Sequence, residues 1–243
     1  MIMRAAPQQV DRFWASDWSL RVLLALLVLF VFFIHPLNLA GYDTRLVAGL
    51  AFTVILLSGI LVVSRSPTQA VLFAIVAIAA VSVHWARYAV FGAAWVEEDA
   101  IASLVACGML AGIVLSQVFR SGPVTSSRIQ GAVAAYLLIA LMFAALYSWI
   151  DLHSAMNAFN GVPPLVGAGP NPFERFVYFS FTTMTTVGYG DITPVQPFAR
   201  SMAMLEAVIG QIFPAILLAR LVSMEVYYHQ QRVDALDRDA GTR

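Results

Sequence analysis

The chain has 243 residues, 60% of them hydrophobic and 12% charged, whereas a soluble domain carries about 25% charged residues. Its 14 basic and 14 acidic residues cancel, so no electrostatic footprint for nucleic acid exists and no nucleic-acid partner is expected. The lone Cys107 excludes an intrachain disulfide and, in an apolar stretch, reads as a small buried hydrophobe.

In chain order, Val10, Phe13, Trp14 and Trp18, with Asp11, Arg12 and Asp17 between them, predict an amphipathic interfacial helix over residues 1–19. Packing on a neighbouring subunit is the competing reading. Apolar runs then predict six membrane spans, over about residues 20–37, 45–63, 68–90, 100–119, 129–150 and 200–224. Each is close to the ~20 apolar residues a helix needs to cross the hydrocarbon core. The first run follows Arg4, Arg12 and Arg21 as a signal peptide would. It is long for one, however, and Asn38-Leu39-Ala40 lacks the small-x-small cleavage pattern, so a retained span is expected.

Orientation follows from the basic residues, all of them Arg. With the N-terminus inside, Arg4, Arg12, Arg21, Arg65, Arg120, Arg128, Arg220, Arg232, Arg238 and Arg243 lie inside. Arg45, Arg87, Arg175 and Arg200 then lie outside. Ten against four predicts both termini inside and the acidic cluster Glu97-Glu98-Asp99 outside. His84 and Arg87, one turn apart on the third span, are placed to pair with Glu97, Glu98 or Asp99.

Residues 151–199 differ from the spans around them. A Pro/Gly-rich stretch over 161–170 precedes a short apolar helix candidate at 173–185. Asn171 as N-cap, Pro172 at the first helical position and Glu174 in the first turn mark its start. At about 20 Å it is too short to span. Irregular backbone at membrane depth is tolerated only inside a protein-lined cavity. A re-entrant loop entering from outside is therefore expected, its helix pointing a negative C-terminal dipole end inward.

After that helix comes Thr183-Met184-Thr185-Thr186-Val187-Gly188-Tyr189-Gly190-Asp191. The run T-M-T-T-V-G-Y-G-D resembles the selectivity filter of the potassium-channel family, of the bacterial type with six spans and one pore loop. The resemblance is strongest over residues 173–222. It implies that backbone carbonyls of Thr186, Val187, Gly188, Tyr189 and Gly190 replace the hydration shell of K+. Gly188 and Gly190 supply positive φ so that successive carbonyls face the same way, while Val187 and Tyr189 pack behind the loop. Behind the filter the family commonly places two Trp residues; here Tyr178 and Phe179 stand there. Tyr178 keeps a hydrogen-bond donor for Asp191, and Thr182 stands where some relatives carry a carboxylate. Gly210 takes the place of the inner-helix hinge, or simply lets helices pack closely. Gln211, Pro214 and Leu218 are expected to line the cavity or inner gate, with Pro214 able to kink its helix.

The implied fold is an all-α membrane protein of six transmembrane helices with a pore helix and filter loop. Its parts are the interfacial helix 1–19, a four-helix sensor-like domain 20–120, a pore domain 121–228 and a short cytoplasmic tail 229–243. One filter run per chain implies a homotetramer, since the cage needs four loops. The implied setting is a cell membrane, of the bacterial inner-membrane kind, with lipids and K+ as its partners. No nucleophile–base set, metal-ligand cluster or phosphate loop is present in the sequence, so neither enzyme activity nor a cofactor is expected, K+ being the permeant ion. A voltage sensor needs several basic residues on its fourth helix, yet residues 100–119 hold no Arg, Lys or His. Weak or absent voltage dependence is therefore expected. A poorly selective cation pore is the alternative, against which the tyrosine at 189 argues. Glu206, within the last span, braces the pore helix, or gives pH sensitivity, or makes an ordinary buried hydrogen bond to a pore-helix Thr.

Overall fold

The computed structural model describes residues 7–39, 45–63, 67–87, 95–120, 125–154, 157–162 and 172–241. Arg4, Arg65, most of the Pro/Gly-rich stretch and the expected N-cap Asn171 lie outside them. The described residues form α1 (Pro7–Leu29), a widened turn (Phe30–Ile34), α2 (His35–Leu39), α3 (Arg45–Val63), α4 (Pro67–Ala86), α5 (Val96–Val118), α6 (Ser126–His153), β1 (Phe159–Asn160), α7 (Pro172–Met184), β2 (Thr193–Pro194) and α8 (Pro197–Gly241). Among the described residues, five helical segments are long and apolar enough to cross a membrane, Trp18–Leu37, Thr68–Ala86, Val96–Val118, Ser126–His153 and Pro197–Ser223, with Leu46–Ile60 a shorter apolar helix.

The boundaries differ from the expected ones for identifiable reasons. Residues 7–19 are the first turns of α1 and run into the first span without a break. The helix widens at Phe30–Ile34, where the His35 N–H bonds back to the Phe30 carbonyl. Pro36 explains the place, because it has no N–H to continue the ladder and its ring crowds the preceding turn. Helix α5 begins at Val96, so Glu97, Glu98 and Asp99 occupy its first turn rather than a loop. There they face the positive end of the helix dipole. Helix α8 continues through Pro214 to Gly241, carrying residues 229–241 as helix.

Helix α6 is the spine. It packs along α5 on one side and α7 on the other, and α1 joins it to α3; α4 closes against α3 and α5. Small residues on α6, among them Ala134, Ala135, Ala140, Ala144 and Ala145, are fully buried at these contacts, as close packing between membrane helices requires. Tyr147 on α6 meets Phe176 and Phe179 of α7 and Phe159 of β1, with ring centroids 6.3, 5.1 and 5.5 Å away. These edge and tilted contacts fix α7 against α6. The pair β1–β2 is antiparallel, with Phe159 opposite Pro194 and Asn160 opposite Thr193. It ties the segment after α6 to the segment that leads into α8.

The expected pairing falls on Asp99. This buried carboxylate lies 3.1 Å from Nδ1 of His84 and accepts a 2.9 Å bond from Arg87. Glu97 instead meets Nε2 of His153 at 2.8 Å, joining α5 to the end of α6. Gln117 donates to the Val62 carbonyl at 2.9 Å, and Arg220 of α8 donates to the Phe119 carbonyl at 3.2 Å.

Gly210 of α8 is buried against the last turn of α7. A Cβ there would collide with the carbonyl of Met184, which also accepts a 3.2 Å bond from the Tyr136 hydroxyl. Close packing is thus a requirement at this position. Two substitutions test these joints by thermal melting in detergent. Gly210→Ala should lower stability, although Ala is about 1 kcal/mol better than Gly in an unhindered helix; a rise in melting temperature would mean that the contact with Met184 does not constrain α8. Asp99→Ala should cost about 1–3 kcal/mol by stranding the Arg87 guanidinium, whereas Glu98→Ala, at an exposed position, should leave the melting temperature in place.

Candidate functional site

Thr186, Val187, Gly188, Tyr189 and Gly190 form the irregular strand between α7 and β2. Positive φ occurs at Thr186 (61°), Gly188 (51°) and Gly190 (82°), with no positive φ at Val187 and Tyr189. The backbone therefore alternates in hand, and alternation turns successive carbonyls toward one side. The sequence signals the two glycines; Thr186 it does not. A β-branched residue in the left-handed region is strained, at a cost of about 1–3 kcal/mol. Strain of this size persists only where neighbours over-determine it.

Those neighbours are visible. The Thr186 N–H donates to the Thr183 carbonyl at 2.9 Å, and the Gly188 N–H to the Thr182 carbonyl at 3.1 Å. The free carbonyls ending the pore helix thus hold the strand that follows it. Gln211 of α8 donates to the Thr186 hydroxyl at 3.0 Å. Thr182 supports the strand through its carbonyl, its hydroxyl being spent on Phe179 O at 3.0 Å within its own helix. Tyr178 has the Asp191 side chain as a hydrogen-bond partner and stacks parallel on Tyr189, with centroids 6.3 Å apart and planes within 1°. Asp191 also accepts from the Ile192 N–H at 3.0 Å.

Gly161, with φ of 79°, lies so close to the Asp191 carbonyl that a Cβ would overlap it. Nothing in the spacing of the sequence pointed to this seat. Gln211, Pro214 and Leu218 are exposed and their i, i+3, i+7 spacing sets them on one face of α8. Of the three, Gln211 is hydrogen-bonded to the strand. Val187 and Tyr189 are 52% and 72% exposed in the single chain. The expected cover behind the loop is, within one chain, limited to the ring of Tyr178.

Glu206 is fully buried. Its pore-helix partner is Ser180, not the Thr expected from the sequence, because Ser180 is the hydroxyl on the buried side of α7 while Thr182 and Thr183 lie partly exposed. Its second partner is the hydroxyl of Tyr147, at 2.6 Å.

Residues 134–226, from α6 to α8, match the family described as ion channel. Two pore potassium channel c of Oryza sativa subsp. japonica is 44% identical over 57 residues, 23% of this chain and 12% of that protein. Two-pore potassium channel 5 of Arabidopsis thaliana is 28% identical over 104 residues, 43% of this chain and 23% of that protein. Protein LctB of Geobacillus stearothermophilus is 45% identical over 49 residues, 20% of this chain and 36% of that protein. The matches thus cover a minor part of each of these relatives. The family match takes in the segment that carries the alternating strand, and over residues 134–226 the chain is similar to ion channels.

Proposed function

We propose that four copies of this chain surround one axis and conduct K+ passively and selectively across a cell membrane. The observation that carries this reading is the alternation of backbone hand from Thr186 to Gly190. Four such strands around an axis present rings of carbonyl oxygen at which K+ exchanges its hydration shell. Thr186, Val187, Gly188 and Tyr189 supply the coordinating carbonyls and Gly190 the outer turn, with Tyr178, Thr182 and Asp191 as support. Large apolar side chains left exposed on α8, among them Met204, Val208 and Ile212, give the surface for inter-subunit packing. Two of the relatives carry potassium channel in their names, which supports K+ as the permeant ion.

Six spans with both termini inside fit the Arg distribution, with a bacterial inner membrane as the setting. Helix α5 has acidic residues in its first turn and no basic residue along Val96–Val118. Moving one charge through the field is worth about 2.3 kcal/mol per 100 mV, and α5 has no cation to move. The four-helix domain therefore acts as a scaffold, and the open probability should vary weakly with voltage.

The direct test is the reversal potential of the purified protein in a planar bilayer, with K+ on one side and Na+ on the other. A value displaced strongly toward the K+ equilibrium potential is expected; a value near zero with real current contradicts selectivity. Tyr178→Phe removes the donor to Asp191, and Gln211→Leu the donor to the Thr186 hydroxyl. Each should move the reversal potential toward zero while the assembled mass remains that of four chains. Unchanged selectivity in both variants would remove these residues from the support of the filter.

A further inference from the structure

We propose that Glu206 is a protonated carboxylic acid, and that its proton is the joint holding the pore helix in place, so that alkaline pH shuts the pore. The argument is a count of hydrogens. Three oxygen–oxygen contacts meet around this side chain. The Tyr147 hydroxyl lies 2.6 Å from Oε2 of Glu206. The Ser180 hydroxyl lies against Oε1 of Glu206 and also 2.6 Å from the Ala140 carbonyl. Each contact needs a hydrogen between its oxygens, because two bare acceptors at that distance repel. Tyr147 supplies one hydrogen and Ser180 one. The third is the acid proton of Glu206. One assignment satisfies everything: Tyr147 donates to Oε2, Glu206 donates through Oε1 to Ser180, and Ser180 donates to Ala140 O.

The surroundings agree. Glu206 is 0% exposed, and among the described residues no cation is paired with it. The groups facing it are Ser180 from α7, and from α6 the phenol of Tyr147 with Tyr136 within electrostatic reach. A bare carboxylate in such a place would carry the full cost of burying an unpaired charge. The joint has a direct line to the filter. Ser180 stands just ahead of Thr182, whose carbonyl holds the Gly188 N–H at 3.1 Å. Losing the acid proton leaves one of the three contacts without a hydrogen, so α7 must part from α6 or from α8. Glu206 is thus a positioning residue, and its effect on conduction rests on the pore reading above.

The experiment uses the full chain in lipid vesicles, in two arms. The infrared difference between the wild type and Glu206→Gln at neutral pH should contain the carbonyl stretch of a protonated acid, and alkaline titration of the wild type should convert that band to carboxylate bands. A carboxylate signature at neutral pH overturns the proposal. In the second arm, K+ efflux from wild-type vesicles should be lost over the pH range in which the acid band disappears. Glu206→Gln, whose neutral amide keeps a donor and an acceptor, should retain efflux across that range. Loss in both proteins together, or in neither, overturns the pH control. Should Glu206→Gln fail to assemble, coincidence of band and efflux in the wild type decides. If K+ efflux is absent at every pH, the pore reading fails instead, and the infrared titration still settles the proton.

Discussion

A backbone that alternates in hand from residue to residue has no hydrogen-bond ladder of its own. Helices and sheets satisfy their peptide groups by repetition; the strand from Thr186 to Gly190, with positive φ at every second residue, does not repeat in that way. Its conformation must therefore be imposed from outside. The pore helix does so from one side, through the carbonyls of Thr182 and Thr183. Gln211 reaches it from the inner helix, and Tyr178 and Gly161 hold Asp191 at its far end. Each of these supports sits on an element that is itself pinned, which is how a strained Thr186 can persist.

The pinning is concentrated where α6, α7 and α8 converge. On one part of the contact, rings fill the space: Tyr147, Phe159, Phe176 and Phe179 interlock at centroid distances between 4.8 and 6.3 Å. Further along, polar groups take over, with Glu206, Ser180 and Tyr147 bridging three helices. At the last turn of the pore helix, neither rings nor large side chains fit. Gly210 lets α8 meet the Met184 carbonyl directly. The order is physically sensible, since apolar packing alone gives little direction inside a lipid environment, while hydrogen bonds and backbone-to-backbone contact fix register.

Much of this was legible in the sequence. The apolar runs located the helices, because crossing a hydrocarbon layer demands length and hydrophobicity together. The Pro172 start and the short apolar run located α7. The spelling from Thr183 to Asp191 located the strand, since glycine at alternate positions marks where positive φ is needed. Three things were hidden. Helix ends such as Val96 depend on dipole and capping effects that hydropathy averaging does not resolve. The positive φ of Thr186 opposes the local preference of a β-branched residue, so only its neighbours reveal it. Gly161 and Ser180 act through partners far along the chain, Asp191 and Glu206, and no local pattern encodes such pairings.

The first four helices give the clearest contrast between layout and content. Their arrangement against α6 would suit a domain that transmits force to the pore, since α5 lies along the outer helix and Arg220 ties α8 to the Phe119 carbonyl. Yet what α5 holds is apolar, with its only acidic residues in the first turn and Asp99 already neutralised by His84 and Arg87. A charge locked in a buried, doubly paired site cannot travel through a field without breaking both pairs, and the other charges of α5, Glu97 and Glu98, sit in the same first turn. The packing that joins these helices to α6 and α8 is therefore in place, while α5 has no basic residue between Val96 and Val118.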